Sequence, residues 1–422
     1  MSKEHMIVGG LMVYVSYYFL IEIYKLYDEF KFPKDWEKNW KMIKLHPFYS
    51  SIKGCKIIKD FINNNPIASN NSTSKKDLIE NNNNWYIGNK LCYVSQNTGG
   101  TSGKSAKIYM TLKHAQIMAE TFFWSYEETG CVNKVKIFNS KKDRFLVFYP
   151  QDSYFQNIYN FANNKLKLKY ITKFSAMKFN KIDKQTVFDL VKEINEFKPK
   201  LLAIFPFVLL QVCIIINKEK IKLTHIPLVN ISGEFVCKNS IKYCQKLFPI
   251  INSTYGLVEF GEIAHQYNYG EDYECNDNFK VELNNKNEIC VTSLYQFTFP
   301  LIRYNTGDIA DEIVEKEGKQ FIKNLQGKNT QFVNELTPIK LDAIMSNYDI
   351  IQYRMLIKNK NNATVQYVGN VIDNEIKEIR GKIKGWKLLE FKKYELIPHD
   401  FTKKFKIIQY EDDDETVGNL QL

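Results

Sequence analysis

No Cys-x-x-Cys pair occurs among the eight cysteines (Cys55, Cys92, Cys131, Cys213, Cys237, Cys244, Cys275 and Cys290), which are scattered along the 422 residues. That absence argues against a disulfide framework or a paired-cysteine metal site. It points to reduced, mostly buried thiols in a cytosolic protein. A metal site built from Cys275 and His265 would rest on a spacing that diagnoses nothing. No block of lysine and arginine reads as a nucleic-acid arm, although the formal net charge is +11. The basic residues are spread out and read as a generally basic solvated surface, so nucleic acid is not an expected partner. No apolar run reaches the ~20 residues of a membrane-spanning helix. Met6–Leu20 ("MIVGGLMVYVSYYFL") is closed off by Glu22 and Lys25 and has no small-residue cleavage site. It is expected to be a buried N-terminal helix, with an interfacial helix as the alternative. There is no internal repeat.

What is present is an ordinary globular composition, 44% hydrophobic and 25% charged, in a chain long enough for a large core and a smaller second domain. The run "NNNPIASNNSTSKKDLIENNNN" (Asn63–Asn84) is polar and reads as a surface excursion. Strand and helix patterns then alternate. Leu91–Ser95 and Ala106–Thr111 read as strands, and a helix is expected from about Lys113 to Glu128. Thr186–Glu196 reads as a helix, "PKLLAIFP" (Pro199–Pro206) as a buried strand, and Pro206–Lys218 as a helix. "IPLVNIS" (Ile226–Ser232) is a second buried strand, followed by a helix at Asn239–Phe248. This alternation implies α/β layers with a largely parallel sheet. Beyond Gly327 the pattern restarts in short mixed elements, the mark of a separate small domain.

Between the first two strands lies "NTGGTSGKS" (Asn97–Ser105), whose Gly-Lys-Ser ending imitates a Walker phosphate loop. The Walker spacing demands a glycine five positions before Gly103, and Thr98 stands there. A Walker loop also runs straight into a helix that holds the phosphates, whereas a strand follows this one. Spacing and context therefore argue against a kinase or triphosphatase of that class. Backbone N–H groups and short hydroxyls in such a loop can still surround phosphates, and glycine permits the close approach.

Four further stretches follow in order: "NISGEFV" (Asn230–Val236), "INSTYGLVEFGE" (Ile251–Glu262), "FPLIRYNTGDIA" (Phe299–Ala310) and "LIPHDFTKKFKIIQ" (Leu396–Gln409). With the loop, this series resembles the adenylate-forming enzymes, in particular their phenylacetate–CoA ligase-like branch, which includes proteins encoded beside capsule and surface-polysaccharide genes. "PIASNNSTSKKDL" (Pro66–Leu78) resembles an upstream region of that branch, stretched by an insertion.

The resemblance implies an α/β adenylate-forming fold, with a large N-terminal α/β domain (1–327) and a small mobile C-terminal α+β domain (328–422). It implies that Thr98, Gly99, Gly100, Thr101, Ser102, Gly103 and Lys104 hold the ATP phosphates. Ser232, Gly233 and Glu234 would flank the adenine, and Tyr255, with Gly256, would lie against it. Glu259 would hold Mg²⁺ on the phosphates. Asp308 would accept both ribose hydroxyls, with Arg303 and Tyr304 bracing the turn. Lys404 would be the catalytic lysine, an ammonium that spreads charge between the α-phosphate and the attacking carboxylate.

Several positions depart from the family pattern. At the hinge, "GKNTQ" (Gly327–Gln331) has Lys328 for an arginine and Gln331 for a carboxylate. Lys328 keeps a charge that would reach the ribose but lacks the planar fork. Val258 replaces a threonine or serine, and His399 and Lys403 replace the arginine and glycine before the lysine.

The implied activity is ATP-dependent, AMP-forming ligation. A carboxylic acid is adenylated and passed to an acceptor, in surface-polysaccharide or aryl- and acyl-acid metabolism. ATP and Mg²⁺ are the expected cofactors, CoA is the family's common acceptor, and an amine or a sugar is the rival. Two other classes stay open: a degenerate nucleotide-binding scaffold, and a peripheral membrane protein anchored by Met6–Leu20.

Overall fold

In the computed structural model, the described residues are 43, 46–81, 85–86, 93–98, 106–111, 114, 117–118, 120–121, 131–132, 135–136, 138–139, 142–148, 172–174, 182–296, 298–333, 336–399 and 405–411. The segment Met6–Leu20 lies outside them.

The first elements with described bounds are two helices, α1 (Ile52–Ile62) and α2 (Lys75–Glu80). Two hairpins follow: β1 (Tyr93–Asn97) with β2 (Lys107–Thr111), and the short β3 (Cys131–Val132) with β4 (Val135–Lys136). Next come β5 (Phe145–Phe148), β6 (Thr172–Phe174), α3 (Lys184–Phe197), β7 (Leu201–Ile204), α4 (Pro206–Glu219), β8 (Leu228–Ser232) and α5 (Lys238–Cys244). The strand-rich middle holds β9 (Ile251–Leu257), β10 (Gly261–Gln266), β11 (Tyr273–Cys275), β12 (Phe279–Leu283), β13 (Glu288–Ser293), β14 (Tyr304–Ile309), β15 (Glu312–Lys316), β16 (Lys319–Lys323) and β17 (Gly327–Lys328). A 3₁₀ turn at Asn329–Gln331 leads to α6 (Pro338–Met345), β18 (Ile350–Ile357), β19 (Asn362–Gly369), α7 (Asp373–Lys382), β20 (Leu388–Lys393) and β21 (Ile408–Tyr410).

The central sheet has nine strands in the order β15-β16-β11-β10-β9-β8-β7-β5-β6. Its β6-β5-β7-β8-β9 half is parallel. There, "FLVF" and "LLAI" are buried at every position, as strands covered on both faces must be. The other half is antiparallel, because β9 returns directly into β10 through a connection too short for a crossover. The sheet is thus mixed rather than largely parallel. The antiparallel sheet β12-β13-β14-β17 stands beside it, and β20-β19-β18-β21 forms a third sheet from the C-terminal part.

α4 is apolar on all sides, with Phe207, Val208, Leu209, Leu210, Val212, Cys213, Ile215 and Ile216 all buried. A helix of that kind needs cover on every face. One continuous apolar cluster supplies it, running from Leu202 and Ile231 of the central sheet through α4 and α5 to Tyr353, Met355 and Val365 of the C-terminal sheet. Polar clips fasten the same contact. Asn239 Nδ2 donates to the carbonyls of Ser346, Tyr348 and Ile350, and the Asp342 carboxylate accepts from Lys238 N–H and from the Tyr353 hydroxyl.

The polar run Asn63–Asn84 is more than a surface excursion. Ile67, Asn71, Ser72, Thr73 and Leu78 are buried. Thr73 lies against the strand-turn motif: its amide donates to Arg303 O (3.0 Å), its hydroxyl to Ile302 O (2.7 Å), and its carbonyl accepts from Asn305 N (2.8 Å). Polar composition here signals hydrogen bonding to a neighbouring turn instead of solvent. The cysteines follow expectation: Cys213, Cys237, Cys244, Cys275 and Cys290 are buried free thiols, and Cys55 is exposed. The register pairs His265 with Glu274 and Cys275 with Ala264, so His265 and Cys275 sit on opposite faces of the sheet and share no metal.

Candidate functional site

The site is built where β9, β14 and β17 converge. The motif "RYNTGD" enters β14 through Arg303, whose backbone is left-handed (φ 48°) although it is not glycine. That conformation is held because its side chain is wholly buried in a two-point pair with Glu282: Nη2 to Oε1 at 2.7 Å and Nε to Oε2 at 3.2 Å. Arg303 thus braces the turn, as expected. Within it, Asp308 N–H donates to Thr306 Oγ1 (3.0 Å) and Gly307 takes φ +75°, a region glycine enters without strain.

Asp308 is buried and its carboxylate is already oriented. Oδ2 accepts from the Tyr255 hydroxyl at 2.9 Å and from Lys328 Nζ at 2.9 Å. Lys328 also donates to Thr306 O at 2.6 Å. Burial, with the Asp308 carboxylate beside it, holds the Tyr255 phenol well above its usual range, so it remains a donor. The structure therefore brings together Asp308, Tyr255 and Lys328, drawn from three separate stretches of sequence.

Glu259 sits at the β9–β10 turn, buried, with Oε1 accepting from the Tyr304 hydroxyl at 2.9 Å. Its other oxygen carries no hydrogen bond to any described residue. Gln296 Nε2 steadies the turn by donating to Glu259 O (3.0 Å) and to His114 Nε2 (2.6 Å). Burial lowers His114 to about 3, so the imidazole is neutral and accepts that bond. Gly256 is demanded by close approach: a Cβ there would lie 2.5 Å from Gly261 O.

Among the described residues no group of three or more His, Cys, Asp or Glu forms a cage for a metal. One open carboxylate oxygen on Glu259 fits a cation that brings its remaining ligands as phosphate and water, the usual habit of Mg²⁺.

The phosphate-loop candidate leaves β1 and returns through β2, an antiparallel hairpin with Asn97 opposite Lys107. Its base is closed by Thr98 N–H to Ala106 O (2.8 Å) and Ala106 N–H to Thr98 Oγ1 (2.9 Å). A strand does follow this loop, which separates it from the Walker type. Gly99, Gly100, Thr101, Ser102, Gly103 and Lys104 lie outside the described residues, as does Lys404.

Ser232 ends β8, buried, and Gly233 (φ +86°) and Glu234 follow it. Glu234 does something its motif did not announce: Oε1 accepts from Phe405 N–H (2.8 Å) and Oε2 from Phe207 N–H (3.3 Å). The Tyr304–Glu259 bond, the Gln296 bridge and the Thr73 clamp were likewise illegible in sequence. Each joins residues between 37 and 229 positions apart, and none belongs to a spaced motif.

No protein-family model matches the chain, and no curated protein matches it in sequence. Solved structures do. A 2-hydroxyisobutyryl-CoA ligase in the postadenylation state, in complex with an acyl-AMP, is similar over 88% of this chain and 87% of its own, at TM-score 0.66 and 13% identity. The same enzyme in the thioesterification state, with acyl-AMP and CoA, matches at TM-score 0.54 and 14% identity over 88% of this chain and 87% of its own. An anthranilate CoA ligase in complex with anthranoyl-AMP matches at 0.52 and 12% identity, over 74% of this chain and 66% of its own. The chain has the fold of adenylate-forming CoA ligases.

Proposed function

We propose that this protein is an AMP-forming ligase of the phenylacetate–CoA ligase-like branch, with its two working parts divided at 327/328. The observation that carries the reading is the cluster of buried Asp308 and Tyr255 with half-buried Lys328, positioned beside Glu259 and Tyr304 on this fold. A fixed carboxylate flanked by a phenol and an ammonium suits two adjacent ribose hydroxyls. A carboxylate one strand-turn away suits a cation on the phosphates. When bound, Mg²⁺ would neutralise phosphate charge.

In the first step a carboxylate oxygen of the acid attacks the α-phosphorus of ATP, the bond to the β-phosphate oxygen breaks, and pyrophosphate leaves. Lys404 would neutralise charge as the two anions meet, and the loop Thr98–Lys104 would hold the phosphates. The acyl-adenylate then meets a nucleophile, the acyl–oxygen bond to AMP breaks, and AMP leaves. CoA is the acceptor we favour, with an amine or sugar hydroxyl of surface-polysaccharide metabolism as the rival, since Lys328 and Gln331 alter the hinge. The better match to a postadenylation arrangement than to a thioesterification one (0.66 against 0.54) supports assigning the present packing of the C-terminal sheet to a stage before acyl transfer. ATP dependence carries with it a cytoplasmic setting, and no described helix is long and apolar enough to cross a membrane.

The test is pyrophosphate release from ATP and Mg²⁺ across aryl acetates, fatty acids, amino acids and uronic acids, with Lys404→Ala and Asp308→Ala as controls. Release with one acid class, lost in both variants, is expected. ATP binding without release for any acid would favour the degenerate scaffold.

A further inference from the structure

We propose that Glu234 is a positioning residue that latches the C-terminal segment behind the catalytic lysine for the first half-reaction. The proposal rests on the ligase reading above, and its geometry stands by itself. α4 begins at Pro206 with Phe205 as N-cap, and Phe205 offers no side-chain oxygen to the first turn. The amide of Phe207 is therefore one of the orphan donors every helix start leaves. Glu234 Oε2 takes it at 3.3 Å, a carboxylate at the positive end of a helix. Its other oxygen reaches across to the Phe405 amide at 2.8 Å. One half-buried side chain thus joins the central sheet, the buried helix and the peptide unit immediately following Lys404.

Three rings surround the junction. Phe207 stacks on Phe405 with centroids 4.2 Å apart and planes 19° from parallel, and His399 stands edge-on to both at 4.8 and 5.4 Å. Arg354 lies with its guanidinium carbon 5.8 Å from the centre of the Phe405 ring. The aromatic contacts supply area, and Glu234 supplies register: a charge-assisted bond to one particular N–H fixes how far the chain has travelled, which stacked rings do not. The C-terminal part is also docked elsewhere, at α5, where Asn239 donates to Tyr348 O and the Lys238 amide to Asp342. Loss of Glu234 should free the 405 segment locally while leaving the sheet docked. Any motion that withdraws Lys404 for the second half-reaction must break this bond.

The experiment compares the full-length protein with Glu234→Gln by hydrogen exchange and by pyrophosphate exchange. Glutamine presents N–H where one of the two backbone donors needs an acceptor, so one bond is lost. Expected are at least about tenfold faster exchange for the Phe405 amide, which lies before the strand β21, and unchanged exchange for β19 (362–369), which does not pair with β21. Expected too is a kcat for pyrophosphate exchange lower by about 100-fold, with KM for ATP within about twofold, as for a misplaced catalytic group. Unchanged exchange at Phe405, an equal rise across 362–369, or an unaltered kcat would overturn the latch. If Glu234→Gln does not fold, Glu234→Asp, one methylene too short to hold both amides, makes the same comparison. A wild-type protein inactive with every acid would refute the ligase reading, and the hydrogen-exchange arm would still decide the latch.

Discussion

Lys328 faces Asp308 directly across the β14–β17 pair, and its ammonium rests 2.9 Å from the carboxylate. The hinge candidate and the ribose candidate are therefore one cross-strand unit. Lysine here is a point charge donating to Asp308 and to Thr306 O, in place of the forked donor of an arginine.

That pairing makes the proposed nucleotide site sensitive to either partner. Asp308→Asn keeps the shape and the fold, loses the charge-assisted bonds, and should weaken ATP binding by at least about tenfold, the worth of one hydrogen bond to a charged group. Lys328→Ala should weaken it by less, because Tyr255 still orients the carboxylate. Calorimetric titration with ATP checks both; equal affinity of Asp308→Asn and wild type would remove Asp308 from the site.

Glu259 is expected to act through the cation. Glu259→Gln retains the bond from Tyr304 and removes the negative charge, so the Mg²⁺ concentration needed for half-maximal pyrophosphate release should rise by about tenfold or more. Tyr304→Phe should shift it far less. A Mg²⁺ titration that leaves Glu259→Gln superimposed on wild type would exclude a metal role.

Acid should destabilise the fold before most carboxylates protonate. Burial lowers His46 to about 4, His114 to about 3 and His265 to about 4, against a usual 6.5. Each imidazole takes a proton in the unfolded chain at a higher pH than in the folded one. The unfolded state therefore binds more protons, and stability falls as pH drops from 6.5 toward 4. The slope is about 1.4 kcal/mol per pH unit for each histidine. Denaturant unfolding between pH 7 and 5 should show this, and His114→Gln should make the slope shallower by about one proton.

Gly256 is held to its identity by contact with a neighbouring chain segment. A methyl group 2.5 Å from Gly261 O must push the β9–β10 turn apart, so Gly256→Ala should cost about 1–3 kcal/mol and displace Glu259. Thermal unfolding and pyrophosphate release should both suffer. A variant with wild-type melting would show that the turn yields freely.

How much of this was legible beforehand differs by element. The buried strands "LLAI" and "LVNIS", with the helices between them, could be read because a strand covered on both faces must be apolar throughout. Asp308 and Arg303 were legible because a tight turn forces its residues into a fixed spacing. The nine-stranded sheet's change from parallel to antiparallel was not, since strand partners are chosen by chain reversal rather than by composition. Nor was Thr73, which hides in an asparagine-rich run that reads as solvent-facing.

By itself the amino-acid sequence determined the layers, the departure of the glycine-rich loop from the Walker spacing, and the motifs that carry the candidate nucleotide site. These depend on local periodicity and on spacing within one turn, which a linear string records. Only the tertiary structure decided that Tyr255 and Lys328 share one oxygen of Asp308, that Tyr304 orients Glu259, and that Glu234 spans from α4 to Phe405. Those are hydrogen bonds between stretches 20 to 171 residues apart, and their geometry exists only once the sheets have packed.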